Sequence, residues 1–155
     1  MCMTTINRRT KIKSGIGYMV RRREEVYNWG KSDYEWTATL LPLYHDTPSA
    51  RVGDTLSTNV RHPIPVESTK SKEVRYIPGF HVFRFKNHAL KYSGTQFPSC
   101  RVVLKVEFSD VLHAGTQGLA PCVVARTVKY LEIVKDCTGY DVPDYRGRQR
   151  SRQGV

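Results

Sequence analysis

The alternation of apolar and polar residues is clearest between Ile77 and Phe108. The segment FHVFRF places its apolar residues in the pattern of a strand. It is followed by NHALKYSG, in which Asn87 is a suitable cap for a short helix and Gly94 a suitable end. The next segment, RVVLKVEF, repeats apolar residues at period two from Val102, which predicts a second strand with one buried face. The most regular part of the chain is thus predicted to be strand, helix, strand.

Further strands are predicted on both sides of this segment. Residues 15–21 alternate as a strand does, Arg21–Glu25 predicts a charged turn, and Val26–Trp29 resumes an extended strand. Tyr34–Leu40 is rich in aromatic and β-branched residues, which are typical of strands. The segment Cys122–Val134 predicts the last strand, and its mixed phase indicates a bulge or burial on both faces.

Two stretches predict loops. Pro63 and Pro65 exclude a helix between Thr58 and Lys72, so this stretch is expected to be a long connection. The glycines of HAGTQGLAP indicate a loop from His113 to Pro121. The fold class is therefore predicted to be α+β, mainly an antiparallel sheet with one or two short helices and long loops.

Positive charge is concentrated at the ends of the chain. The 155 residues carry a formal net charge of +11, and residues 1–23 hold seven Lys and Arg and no acid. Residues 24–134 are almost balanced, with thirteen basic and eleven acidic residues. This distribution predicts a basic N-terminal segment over 1–13, a single α+β domain over 14–136 and a flexible Arg-rich C-terminal tail over 137–155.

Cysteine spacing and hydropathy bear on the compartment. The four cysteines form no CxxC pair and have no metal-ligand spacing to a histidine, which predicts free thiols in a reducing compartment. No apolar run approaches the ~18 residues that a membrane-spanning helix needs, and the start MCMTTINRRTKIK lacks the apolar core of a secretory signal. The expected location is the cytoplasm, and no membrane partner is expected.

Candidate catalytic and metal-binding groups are few. Asp110 and His113 are three residues apart in a predicted turn, which suits a local hydrogen bond, but no nucleophile motif accompanies them. His81 alternates with phenylalanines, as a core or edge histidine does. The five histidines are scattered over different predicted elements, so neither a metal site nor a cofactor is predicted. Whether the chain is an enzyme is left open, and a non-enzymatic binding role is the favoured interpretation.

Two resemblances are carried by the motifs of the central segment. GFHVF, followed by ALKY and an apolar strand, resembles the middle of the ADP-ribosyltransferase fold over residues 77–134. This resemblance implies a nucleotide pocket, whose candidate residues are Phe80, His81, Phe83 and Tyr92. The glutamate that such transferases place near the last strands is missing, because LAP occupies residues 119–121. The Met-Cys start and the Gly-Phe-His segment also resemble small uncharacterised tailed-phage proteins, which implies no known activity.

Nucleic-acid binding is the main functional hypothesis, because lysine and arginine neutralise phosphates and exposed aromatic rings stack on bases. An acidic host protein, for example one that acts in defence, would use the same surface. The candidate patch consists of Arg8, Arg9, Lys11, Lys13, Arg21, Arg22 and Arg23, supported by Arg146, Arg148, Arg150 and Arg152 of the tail. The alternatives are an ADP-ribosyltransferase-like scaffold that binds or sequesters a nucleotide, and a virion or assembly component. The sequence leaves the oligomeric state undefined.

Overall fold

Nine strands and one helix make up the part of the chain that the structure, a computed structural model, describes: residues 3–7, 10–41, 49–60, 64–66, 74–94 and 101–136. The strands are β1 (Thr5–Asn7), β2 (Ser14–Asn28), β3 (Asp33–Leu41), β4 (Thr55–Ser57), β5 (Ile64–Val66), β6 (Val74–Tyr76), β7 (Phe80–Phe83), β8 (Arg101–Gln117) and β9 (Ala120–Lys135). The helix, α1, spans Lys86–Ser93.

The main sheet closes on itself. The strands β8 and β9 form a long antiparallel hairpin around the turn at Gly118 and Leu119, and β2 pairs with the other edge of β8. The short strand β7 pairs with β9 and meets β2 where Tyr18 lies opposite Phe83. Because the pairings lead from β8 through β2, β7 and β9 back to β8, these four strands form a ring. The strands β1, β3 and β4 extend it at the edges of β8, β2 and β9, while β5 and β6 form a separate pair.

Two apolar clusters use the two faces of this ring, as the period-two pattern of the strands requires. The inner cluster includes Met19, Phe80, Val82, Leu104, Val106, Phe108, Val123, Ala125 and Tyr130. The helix-side cluster lies on the outer face and includes Met3, Val20, Phe83, Ala89, Val103, Cys122 and Val124. Met3 and β1 thus belong to the folded body, although residues 1–13 were predicted as a separate basic segment. The predicted tail over 137–155 lies outside the described residues.

Two glycines allow close approach of neighbouring strands. A Cβ atom at Gly17 would overlap Val82 Cγ1 and would lie 2.8 Å from the carbonyl oxygen of Phe83, so β2 and β7 can meet only at a glycine. A Cβ atom at Gly115 would overlap the carbonyl oxygen of Thr5, where β1 joins β8. Both contacts join segments that are far apart in the sequence.

The prediction of an α+β fold is wrong. The described residues form a β-rich fold of mostly antiparallel sheet with a single helix. One reason is that the loop predicted from His113 to Pro121 is mostly strand, since β8 continues to Gln117 and β9 begins at Ala120. The glycines that indicated a loop there serve the contact with β1 and a tight turn, in which Gly118 has a φ of +60°.

The charged turn predicted at Arg21–Glu25 is also wrong. β2 runs without interruption through these residues, and the only irregularity in its pairing with β3 is a register shift between Arg23 and Glu25. A bulge of this kind adds one residue and bends a strand without ending it. The strand therefore continues past the ring as far as Asn28.

Candidate nucleic-acid interface

The three consecutive arginines of the predicted patch do not form one surface. Successive side chains of a strand point to opposite faces, so Arg21 and Arg23 lie on one face of β2 and Arg22 on the other. Arg21 is only 6% exposed, and its Nε–H donates a hydrogen bond to the hydroxyl oxygen of Tyr130 at 2.9 Å. Arg23 forms an ion pair with Asp136 and donates to the carbonyl oxygen of Thr37 at 2.8 Å. Of the three, only Arg22 is exposed.

The rest of the predicted patch is described only in part. Lys11 and Lys13 are exposed and precede β2. The remaining six arginines lie outside the described residues: Arg8, Arg9, Arg146, Arg148, Arg150 and Arg152. Within the described residues, the predicted patch is therefore reduced to two lysines and Arg22.

A second group of exposed basic residues lies at the start of α1 and in its last turn. Arg84, Phe85, Lys86 and Lys91 are exposed, and we call these four residues the α1 surface. None of its three cations forms an ion pair with another residue in the described ranges. The sequence carries a signal for this surface that is hidden by the near balance of charge over residues 24–134. Residues 74–106 contain no acid and include Arg75, Arg84, Lys86, Lys91, Arg101 and Lys105.

The fold explains why the α1 surface is presented to solvent. β7 ends at Phe83, and the backbone N–H of Arg84 donates to the carbonyl oxygen of Pro121 at 3.0 Å, which holds the chain where it leaves the sheet. Phe85 then adopts an extended conformation, with a φ of −121° and a ψ of 138°, and its ring is 53% exposed. The helix buries Ala89 and Ser93 against the sheet and leaves Lys91 on the opposite side, whereas Lys86 is exposed because it is the first residue of the helix.

The beginning of α1 is itself suited to an anion. No side chain caps the first turn, and the turn contains no acid, so its backbone N–H groups and the positive end of the helix dipole are not neutralised by a described side chain. The ring of Phe85 contacts that of His88 edge to face, with centroids 5.9 Å apart. The exposed ring of Phe85 is thus flanked in the sequence by two exposed cations at the positive end of the helix.

The four residues of the predicted nucleotide pocket do not face one space. Phe80 is 2% exposed within the inner cluster, whereas Phe83 is 2% exposed in the helix-side cluster and its ring lies 5.6 Å from that of Tyr92. His81 lies on the opposite face of β7 from Phe80, and burial lowers the pKa of its imidazole to about 3. Phe80 and Phe83 are packed as core residues, whereas His81 and Tyr92 are half-buried.

The predicted pair of Asp110 and His113 is also separated. Asp110 has a φ of +53° and lies 3.9 Å from the guanidinium of Arg126, measured from Oδ2 to Nη1. The Nε2 atom of His113 accepts a hydrogen bond from the backbone N–H of Ile77 at 3.1 Å. Each residue has its own partner, because the register of β8 shifts between Val111 and His113.

Among the described residues, no three side chains of His, Cys, Asp or Glu are grouped closely enough to hold a metal ion. No helix in the same part of the chain is long and apolar enough to cross a membrane.

Cys122 is expected to be unreactive in the folded protein. It is 1% exposed in the helix-side cluster, and burial raises the pKa of its thiol to about 12, so almost no thiolate forms at pH 8. We expect iodoacetamide at pH 8 to leave Cys122 unmodified in buffer and to modify it fully in 6 M guanidinium, as measured by peptide mass spectrometry. Rapid modification in buffer would contradict this placement of the thiol.

Comparison with known proteins adds no family to these observations. The resemblances to tailed-phage proteins and to the ADP-ribosyltransferase fold rest on residue patterns alone and stay predictions. The chain matches no protein-family model, and neither a curated protein nor a solved structure is significantly similar to it.

Proposed function

We propose that this protein is an accessory binding protein that engages single-stranded nucleic acid through the α1 surface. The observation that carries the proposal is the exposed sequence Arg84-Phe85-Lys86 at the uncapped start of α1, with Lys91 on the same helix. Cations supply the attraction to phosphates, which dominates the affinity of such complexes. An exposed ring next to these cations supplies a surface on which a base can stack.

The aromatic ring favours nucleic acid over an acidic protein. A patch that served only to attract carboxylates would need its cations, but it would gain nothing from a half-exposed phenylalanine between two of them. Phe85 is not needed by either apolar cluster, since it contacts His88 at the surface and is 53% exposed. Exposing a ring of this size to water is unfavourable, and a bound base would cover it.

Charge reversal at the α1 surface tests the proposal. The double variant Arg84→Glu, Lys86→Glu is expected to bind a fluorescein-labelled 20-nucleotide single strand about tenfold more weakly than the parent at 0.1 M salt. The slope of log K against log salt concentration should fall by about 0.7 for each lost phosphate contact. Fluorescence anisotropy over a series of salt concentrations measures both quantities.

A matched control separates this surface from the overall charge of the protein. Arg51→Glu, Lys129→Glu makes the same change of charge at two exposed positions outside the α1 surface and should change the affinity by less than about twofold. Equal losses in the two double variants would show that only the net charge attracts the strand and would overturn the proposal.

The third variant separates nucleic acid from an acidic protein. Phe85→Ala should weaken binding to the single strand by about fivefold or more, because the stacking of a base on the ring is lost. The affinity of polyglutamate, measured by its displacement of the labelled strand, should be the same for the variant and the parent. If polyglutamate displaces the strand as efficiently as unlabelled oligonucleotide does, the surface recognises acidic groups in general and the assignment to nucleic acid is wrong.

A further inference from the structure

Two of the most exposed apolar side chains lie at the same end of the main sheet. Among the described residues, Leu119 is 97% exposed, Trp29 84% and Phe85 53%, and no other large apolar side chain is as exposed as these three. Trp29 belongs to the turn between β2 and β3, whereas the pairing of β7 with β9 brings Leu119 and Phe85 to one place. A single exposed apolar residue is ordinary, but exposed apolar residues that occur together are typical of an interaction site.

The pairing of β7 with β9 limits the distance between these two residues. The backbone N–H of Arg84 donates to the carbonyl oxygen of Pro121 at 3.0 Å, so the ladder continues one residue past the end of β7. Phe85 follows Arg84 directly, and Leu119 precedes Pro121 by two residues. With about 5.5 Å across a paired position and about 3.8 Å along the chain for each residue, the Cα atoms of Phe85 and Leu119 are at most about 17 Å apart. Both side chains can therefore border one bound strand.

The hairpin tip, residues 117–120, is well supported. Its two end residues pair with each other, and Gly118 takes the positive φ of +60° that a two-residue turn requires. On the side of β1, the hydroxyl group of Thr4 lies 3.3 Å from the carbonyl oxygen of Gly118. Leu119 thus projects from a turn whose backbone is held by neighbouring strands.

Leucine at position 119 serves neither the turn nor the core. The backbone constraint of the turn is met by Gly118, and exposed turn positions favour residues such as Asn, Asp and Ser. Leu119 belongs to neither apolar cluster. Leaving a leucine in water is unfavourable, and a ligand that covers it would remove this cost.

The neighbouring charges indicate the kind of ligand. Arg84 and Lys86 flank Phe85 in the sequence, are exposed, and form no ion pair within the described residues. A single strand with unpaired bases combines an anionic backbone with flat apolar groups, so it matches both kinds of side chain. Leucine and phenylalanine are among the side chains that proteins insert against bases.

We propose that Leu119 is a second base contact of the nucleic-acid site, which thus holds two neighbouring unpaired bases, one on the ring of Phe85 and the next against Leu119. This inference rests on the proposed function and adds to it a requirement for consecutive bases. Because Leu119 is uncharged, it contributes contact with a base without adding a contact with a phosphate.

Truncation of Leu119 tests the assignment. Leu119→Ala is expected to bind a fluorescein-labelled strand of 20 thymidines about threefold more weakly than the parent, as measured by fluorescence anisotropy. The slope of log K against log salt concentration should be unchanged, because no phosphate contact is lost. Leu119→Asn should lose at least as much affinity, although asparagine suits a turn, and Leu119→Met should bind as the parent does. Equal affinities of the parent, the alanine variant and the asparagine variant would overturn the proposal.

A matched control truncates an exposed apolar side chain elsewhere. Val52, in the turn before β4, is 45% exposed, and Val52→Ala should change the affinity by less than about 1.5-fold. A loss as large as that of Leu119→Ala would show that the affinity responds to apolar surface in general and would overturn the assignment to Leu119.

A strand in which every second base is missing separates a base contact from other effects. A 20-mer with alternating abasic sites offers no two neighbouring bases, so a base on Phe85 leaves none for Leu119. The parent and Leu119→Ala should therefore bind this strand equally. If Leu119→Ala weakens binding to the alternating strand and to the continuous strand by the same factor, Leu119 does not contact a base and the proposal is overturned.

The charge reversals at the α1 surface distinguish a failure of this inference from a failure of the proposed function. If Arg84→Glu, Lys86→Glu weakens binding while Leu119→Ala and Leu119→Asn do not, the α1 surface binds the strand without Leu119, and only this inference is overturned. If the charge reversals have no more effect than their matched control, the proposed function is overturned and this inference with it.

Discussion

Replacing Gly17 by alanine is expected to lower the free energy of unfolding by about 3 kcal/mol or more. The added methyl group would overlap Val82 Cγ1 and would lie 2.8 Å from the carbonyl oxygen of Phe83. The nearest backbone belongs to β7, which cannot withdraw without breaking the contact that closes the ring. Urea unfolding, followed by tryptophan fluorescence and circular dichroism, measures the loss.

The same substitution at Gly94 is a suitable control. Gly94 has a φ of −85°, and a Cβ atom there would lie 3.8 Å from its nearest neighbours, the carbonyl oxygens of Leu90 and Lys91. Gly94→Ala should therefore change stability by no more than about 0.5 kcal/mol. Similar losses at both glycines would contradict the close approach of β2 and β7.

A double-mutant cycle assigns the loss at Gly17 to its neighbour. Val82→Ala removes the methyl group that the new Cβ atom would overlap, so Gly17→Ala should cost less in that background than in the parent. The expected coupling free energy is about 1 kcal/mol or more in favour of the double variant. Strict additivity of the two substitutions would place the strain elsewhere.

The second large effect is a loss of stability in acid that depends on His81. Burial lowers the pKa of its imidazole from 6.5 to about 3, because the charged form is disfavoured away from water. The unfolded chain then binds the proton more readily than the folded one. This contribution to stability is complete above pH 6.5 and is lost as the pH falls from 6.5 towards 3. Between pH 8 and pH 5 the loss should be about 2 kcal/mol.

The variant His81→Gln isolates this contribution. It cannot take up a proton, whereas the carboxylates contribute to the pH dependence of both proteins alike. The free energy of unfolding, measured in urea at pH 8, 6.5 and 5, should therefore fall more steeply for the parent than for the variant. Parallel curves would show that His81 is protonated as easily in the folded protein as in the unfolded chain.

Much of the local structure was predictable because it depends on neighbouring residues. The strands β7, β8 and β9 lie where the apolar alternation indicated, and a helix follows β7. Its start was less well predicted. The helix begins at Lys86 with Phe85 in the cap position, whereas Asn87 was expected to cap it. The fold class was missed in part because the glycines near His113 are typical of a loop. In the structure Gly115 allows the contact with β1, and Gly118 forms the tight turn between β8 and β9.

The candidate site was predictable in its chemistry and not in its position. In the sequence, Arg21 and Arg23 look like members of an exposed basic patch. In the structure Arg21 binds Tyr130 and Arg23 binds Asp136, and both partners are more than a hundred residues away. Conversely, the acid-free stretch around Arg84 and Lys86 was visible in the sequence, but nothing local indicated which of its cations would be exposed.

The sequence alone determined the period-two patterning of the long strands, the presence of a helix after β7 and the excess of positive charge. These properties can be read from the order of neighbouring residues and from the amino-acid composition, without knowing which distant segments meet. The tertiary structure decided which cations reach water, where the ring of strands closes and which aromatic rings remain exposed. Such properties depend on strand register and on contacts between distant segments, because a shift of one residue along a strand turns a side chain from the core to the solvent.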